Sequence, residues 1–156
     1  MWVIEFFHVL FGILWIGLLY FFNLIQVQSM PKMTEAGAAK PYTQIIVPKA
    51  LFYFRHAAWL TVVSGLVYFA AGMKTGTVEG IPGPIIMWGM LFGIIMALNV
   101  WVFIWPNQKK IIAGALEGDA LAKAKKTAFF FSRTNAWLSL PMLACMIAAN
   151  HGGFMF

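Results

Sequence analysis

The chain has 156 residues, 62% of them hydrophobic and only 10% charged, with a formal net charge of +6. A soluble domain carries about a quarter charged residues and interrupts its apolar runs on each exposed helical turn. An ordinary water-soluble fold is therefore excluded. The basic residues sit beside apolar runs, as loop bias in a membrane protein places them, so nucleic-acid binding is not expected.

The first run, Val9 to Ile25, contains a single strongly polar residue, Asn23. No basic region precedes it and no small-residue cleavage site follows, so it reads as a retained helix rather than a signal peptide. Apolar segments of this kind suit a bilayer core, which takes roughly 20 helical residues. Four such segments predict transmembrane helices at residues 3–28, 49–73, 83–106 and 128–150. The expected fold is all-α: an integral membrane four-helix transmembrane bundle forming one domain over residues 1–156, with its backbone polar groups satisfied inside each span.

Three connections join these helices. The first is predicted to be broken by Pro31, Pro41 and Pro48, and the second, "KTGTVEGIPGP", to be a glycine-rich turn. The third, "NQKKIIAGALEGDALAKAKK", is expected to extend helices 3 and 4 beyond the membrane, with a break near Gly118. Pro106 and Pro141 are expected to kink helices 3 and 4.

The first and third connections carry Lys32, Lys40, Lys49, Lys109, Lys110, Lys123, Lys125 and Lys126, against Lys74 alone in the second. The positive-inside rule then puts the first and third in the cytoplasm and both termini outside. Trp2 and Trp88 fall at the predicted outer edge and Trp101 and Trp105 towards the inner one. Trp15, Trp59 and Trp137 are expected to pack inside the bundle.

This topology gives the histidines levels. His8 and His151 lie towards the outer end, on the first and last helices. His56 lies on the inner side, at a depth differing by over ~10 Å at the rise of a helix. Two imidazoles from different helices at one level are what a non-covalent haem b takes as axial ligands. Gly12, one turn after His8, and Gly152 and Gly153 after His151 are expected to give a macrocycle room. Glu5, three residues before His8, is a candidate to orient the other nitrogen of the His8 ring, and Trp15 is a further lining residue. Copper or zinc on His8, His151 and Glu5 is the alternative metal reading. A single cysteine, Cys145, and no CxxCH motif exclude covalent haem attachment. Met87, Met90, Met96, Met142 and Met146 read as packing.

A second polar group, Arg55, Asn107, Gln108, Arg133 and Asn135, is predicted at the inner end. There the two arginines are candidates to clamp an anionic ligand, against the plainer reading that they snorkel to phosphate.

The stretches "HVLFGILWIGLLYFFN", "FRHAAWLTVVSGL", "NVWVFIWPNQKKI" and "RTNAWLSLPML…ANHG" resemble the membrane domain of the bacterial membrane-bound urate hydroxylases, the urate oxidase N-terminal domain family. The likeness runs over about residues 4 to 152, and its most distinctive piece is Asn99 to Lys109. It singles out His8, Gly12, Trp15, Gly17, Arg55, Gly65, Trp105, Pro106, Asn107, Gln108, Arg133, Asn135, Pro141 and His151, and leaves out His56. The resemblance implies a bacterial inner-membrane protein with haem b. Family members acting on urate typically continue into a cytochrome c domain, which this sequence does not contain. The resemblance therefore implies a separate cytochrome c or a quinone as electron partner, or a chain that does not oxidise urate. A looser resemblance is to the small four-helix membrane protoporphyrinogen oxidases, against which the WPNQK stretch argues.

Two function classes follow. One is a haem-b redox protein, in which bis-histidine iron favours electron transfer and an open sixth position favours oxidase chemistry. The other is a non-catalytic accessory subunit of a larger respiratory or photosynthetic complex. A transporter fits least, since it would show internal repeats or paired broken helices.

Overall fold

The computed structural model describes residues 1–76, 83–151 and 153. Among them the chain is helical throughout, with no strand, and builds four long helices: α1 (Trp2–Glu35), α2 (Ala39–Thr75), α3 (Gly83–Ile112) and α4 (Gly118–Asn150). The turn expected over "KTGTVEGIPGP" falls largely on residues 77–82, outside the described residues.

Three of these helices, α1 to α3, are long and apolar enough to cross a membrane. In α4 the apolar run is interrupted by Arg133, Asn135 and Ser139, which lowers its hydropathy although its length suffices. The exterior is the more lipophilic surface: Ile13, Trp59, Trp137 and Ile147 are each more than half exposed, while Asn23, Asn99, Asn135 and Ser139 are buried. This inverts the distribution of a water-soluble protein and marks a membrane protein. Trp59 and Trp137 thus face outwards, contrary to expectation; only Trp15 of the three packs inside, at 1% exposure.

Helix ends differ from the sequence reading at the first connection. Instead of a long proline-broken loop, α1 runs to Glu35 and α2 starts at Ala39, with Gly37 at φ +69° making the turn. Pro41 falls in the first turn of α2, where an amide N–H would lack an intrahelical partner anyway. Pro31 and Pro48 are absorbed inside helices. The third connection follows expectation: α3 continues to Ile112, and Gly114 and Gly118, both at positive φ, break it from α4.

Two stretches are wound as π-helix, Phe21–Gln26 in α1 and Val100–Ile104 in α3. Each has a chemical cause. The Asn23 side-chain amide donates to the Leu19 carbonyl at 2.9 Å, the carbonyl that a regular turn would give to the Asn23 backbone N–H. In α3 the Asn135 amide donates to the Met96 carbonyl at 2.9 Å, and the π turn begins at Val100, whose N–H would otherwise point there. The same turn precedes Pro106, which has no N–H to give and whose ring crowds the carbonyl four residues back.

The helices pair as two hairpins: α1 packs chiefly on α2 and α3 chiefly on α4. The seam between the hairpins is bridged by polar contacts. Tyr20 and Ser139 are 2.9 Å apart, the Asn23 amide donates to the Ser132 hydroxyl at 2.9 Å, and the Trp101 indole donates to the Arg55 carbonyl at 3.2 Å. Apolar packing by Trp15, Leu19, Phe22, Phe54, Met96 and Val100 fills the rest of the centre.

Candidate functional site

At the end of the bundle holding both termini, all four helices enclose a cavity of about 540 Å³, within the 300–1,000 Å³ typical of ligand sites. Glu5, His8, Gly12 and Trp15 line it from α1, and His151 closes it at the end of α4. The five residues expected around a cofactor therefore share one chamber. Its walls are otherwise largely apolar, with Met90, Met142 and Met146 among them. Gly152 lies outside the described residues.

Each histidine places Nδ1 on a carbonyl, His8 half-buried and reaching across to α2, His151 exposed and turned back onto its own helix. Nδ1 of His8 lies 2.9 Å from the Thr61 carbonyl oxygen on α2, and Nδ1 of His151 lies 2.8 Å from the Ile147 carbonyl oxygen on its own helix. A carbonyl only accepts, so Nδ1 is the donor in each ring, which in the neutral imidazole leaves the lone pair on Nε2. Holding the far ring nitrogen on a backbone carbonyl is the arrangement that orients metal-bound imidazoles. The Thr61 carbonyl, and not Glu5, thus orients the His8 ring. Glu5 instead interacts with the Tyr68 hydroxyl, on α2 and also in the cavity wall. The physical reason is direction: the His8 ring leans onto α2 at Gly65, and the Thr61 carbonyl one turn away lies within its reach.

Gly65 makes this possible. A Cβ there would stand 2.7 Å from Cε1 and 2.9 Å from Nδ1 of His8, closer than atoms can approach. At Gly12 a Cβ would meet only the Thr61 methyl at 3.8 Å, an ordinary contact. The glycine needed by His8 is therefore Gly65. The signal was present in the spacing of Phe54, Ala58, Thr61, Gly65 and Tyr68, alternating four and three residues along one face of α2.

His56 stays apart, its Nδ1 2.7 Å from the Phe52 carbonyl and its ring between Phe52 and Trp101. Among the described residues no three His, Cys, Asp or Glu side chains form a metal-binding group. The copper or zinc triad of His8, His151 and Glu5 is not assembled.

The members of the second predicted group are engaged in separate contacts. The Arg55 guanidinium lies 3.8 Å from the Trp105 ring centroid, whereas that of Arg133 lies over Phe129 at 5.3 Å. Asn107 returns its amide to the Phe103 carbonyl of its own helix, with Gln108 half-buried next to it. Asn135 is fully buried and accepts from the Asn99 amide at 2.9 Å, tying α3 to α4. Two residues on a helix differ by about 200° at 3.6 residues per turn, so Arg133 and Asn135 face opposite ways.

The protein-family model described as urate oxidase N-terminal matches residues 55–156, well over half of the chain. The chain belongs to the urate oxidase N-terminal family. The matched region starts at Arg55 and takes in the inward face of α2 from Thr61, all of α3 and α4, and His151. His8, Gly12 and Trp15 on α1 lie before it. No curated protein and no solved structure matches the chain.

Proposed function

We propose that this member of the urate oxidase N-terminal family is an integral membrane redox protein that binds haem b between His8 and His151. The observation that carries the reading is that imidazoles from opposite ends of the chain line one apolar chamber, each with Nδ1 held by a carbonyl and Nε2 free. A bound haem would supply one-electron chemistry. The chain's own part is to position and insulate. Thr61 fixes the His8 tautomer, Gly65 lets that ring rest on α2, and the apolar walls keep water off a flat hydrophobic ligand. A haem held by both His8 and His151 would be suited to electron transfer rather than to oxidase chemistry.

The family resemblance implies a bacterial inner membrane, and the lysine distribution supports both termini on its outer side, so that the chamber would open towards the periplasmic surface. A separate cytochrome c or a quinone is the expected electron partner there. The test is a reduced-minus-oxidised spectrum of the protein purified in detergent with haem supplied during expression. A b-type α-band, lost in the double variant His8→Ala, His151→Ala, is the expected result. Absence of the band, or its survival in that variant, would overturn the reading.

A further inference from the structure

Below the cavity the core is not dry in character. Along α1, towards the lysine-bearing end, Trp15 is followed by Tyr20, Asn23 and Gln26, spaced five, three and three residues apart. Each of the last three meets a polar partner: Tyr20 with Ser139, Asn23 with Ser132, and Gln26 accepting from the Tyr42 hydroxyl at 2.9 Å. On α4 Ser132, Asn135 and Ser139 share one face, Ser132 and Ser139 meeting α1 and Asn135 meeting α3. Met142, the next inward residue, already belongs to the cavity wall. The polar line thus climbs from the half-buried Gln26 and Tyr42 to one turn short of the chamber.

Two atoms on this line are buried and have no hydrogen-bond partner among the described residues: Oδ1 of Asn23 and Nε1 of Trp15. Both residues are 1% exposed. The Asn23 amide cannot be turned to hide its oxygen, because that would set Oδ1 against the Leu19 carbonyl. One orphan is an acceptor and the other a donor, and they bracket the Tyr20–Ser139 pair. Ser139 also bonds the Ala136 carbonyl at 2.7 Å. It therefore donates there and accepts from Tyr20, leaving the phenolic oxygen of Tyr20 able to accept. Buried water satisfies such groups where two to four polar partners converge. Polar side chains retained inside a membrane span are costly there and are kept for function or for contacts between helices. The π-helical turn Phe21–Gln26 carries both Asn23 and Gln26, as π turns often do at functional sites.

We propose that water enters the bundle from the lysine-bearing end along Gln26, Asn23, Ser132, Tyr20 and Ser139 and carries protons to the cavity floor at Trp15. The amide oxygens of Gln26 and Asn23 hold the water. A proton passes from water to water and through the hydroxyls of Ser132, Tyr20 and Ser139, each giving up its own proton as it takes the next, with no change in oxidation state. The indole N–H donates to the last water. This path is independent of what the chamber binds.

Deuterium exchange of the Trp15 indole, followed by NMR on protein labelled with ¹⁵N-tryptophan in detergent and assigned with Trp15→Phe, is itself a reading of proton arrival. The expected result is exchange within minutes for the parent chain, slowed to hours in Asn23→Leu and in Tyr20→Phe, with Asn23→Ser staying fast. Protection for hours in the parent chain would overturn the proposal whether or not any variant folds. So would fast exchange unaltered in both plugged variants, since water would then be entering through the cavity mouth.

Discussion

The imidazole of His8 occupies the space that any side chain at Gly65 would need: a Cβ there falls 2.7 Å from Cε1. The ring cannot retreat freely, because its Nδ1 is held at 2.9 Å by the Thr61 carbonyl one turn earlier on the same helix. The ring is therefore positioned by two backbone features of α2, a missing side chain and a carbonyl.

On the proposed haem reading, Gly65→Ala should displace the His8 ring and lower haem content sharply, with overpacking adding a loss of about 1–3 kcal/mol in stability. Gly12→Ala, whose Cβ would make only ordinary contact, should leave haem content near that of the parent. Haem-to-protein ratios of the purified variants decide it. Equal loss at both glycines would show that His8 is not held in this way.

His56→Ala should leave the difference spectrum unchanged. Its ring is engaged with Phe52 and Trp101 and lies outside the chamber wall. A lost or shifted α-band in this variant would mean that the axial pair has been misassigned.

Asn135→Ala removes the partner of both the Asn99 amide and the Met96 carbonyl. Leaving a buried polar group unsatisfied costs about 1–3 kcal/mol, so the thermal midpoint in detergent should fall. The double variant Asn99→Leu, Asn135→Leu should recover part of that loss, because it removes the Asn99 amide together with its partner. No recovery would mean that packing, and not hydrogen bonding, carries the effect.

Arg55→Lys should cost about 1 kcal/mol although the charge is kept, because a guanidinium stacks on an indole face and an ammonium does so less well. The tryptophan emission should change with it, and the same substitution made in a Trp105→Phe background should leave the emission of the other six tryptophans unaltered. An unaltered midpoint and spectrum would show that the contact is incidental.

Much of this molecule is legible in its apolar runs. The four helices and the hinge near Gly118 follow from hydropathy and glycine, and the shared level of His8 and His151 follows from counting residues along antiparallel spans. What escaped the reading depended on direction rather than depth. Arg133 and Asn135 share a level, yet one lies over Phe129 and the other points into the core. Likewise the orienting partner of His8 is a main-chain carbonyl, which no side-chain pattern reveals. The prolines at 31 and 48 misled for a related reason: a helix with neighbours can absorb the N–H that a proline lacks, so composition alone overstates the break.

The pairing of the helices has a mechanical consequence. His8 belongs to one hairpin and His151 to the other, and the seam between them relies on a few polar bridges such as Tyr20–Ser139 and Asn23–Ser132 near the middle of the bundle. Those bridges fasten the halves well below the chamber. A group grasped by both imidazoles fastens them at the opposite end, so the protein would be clasped at two heights when loaded and hinged at one when empty. Ligand binding and hairpin cohesion then become one equilibrium.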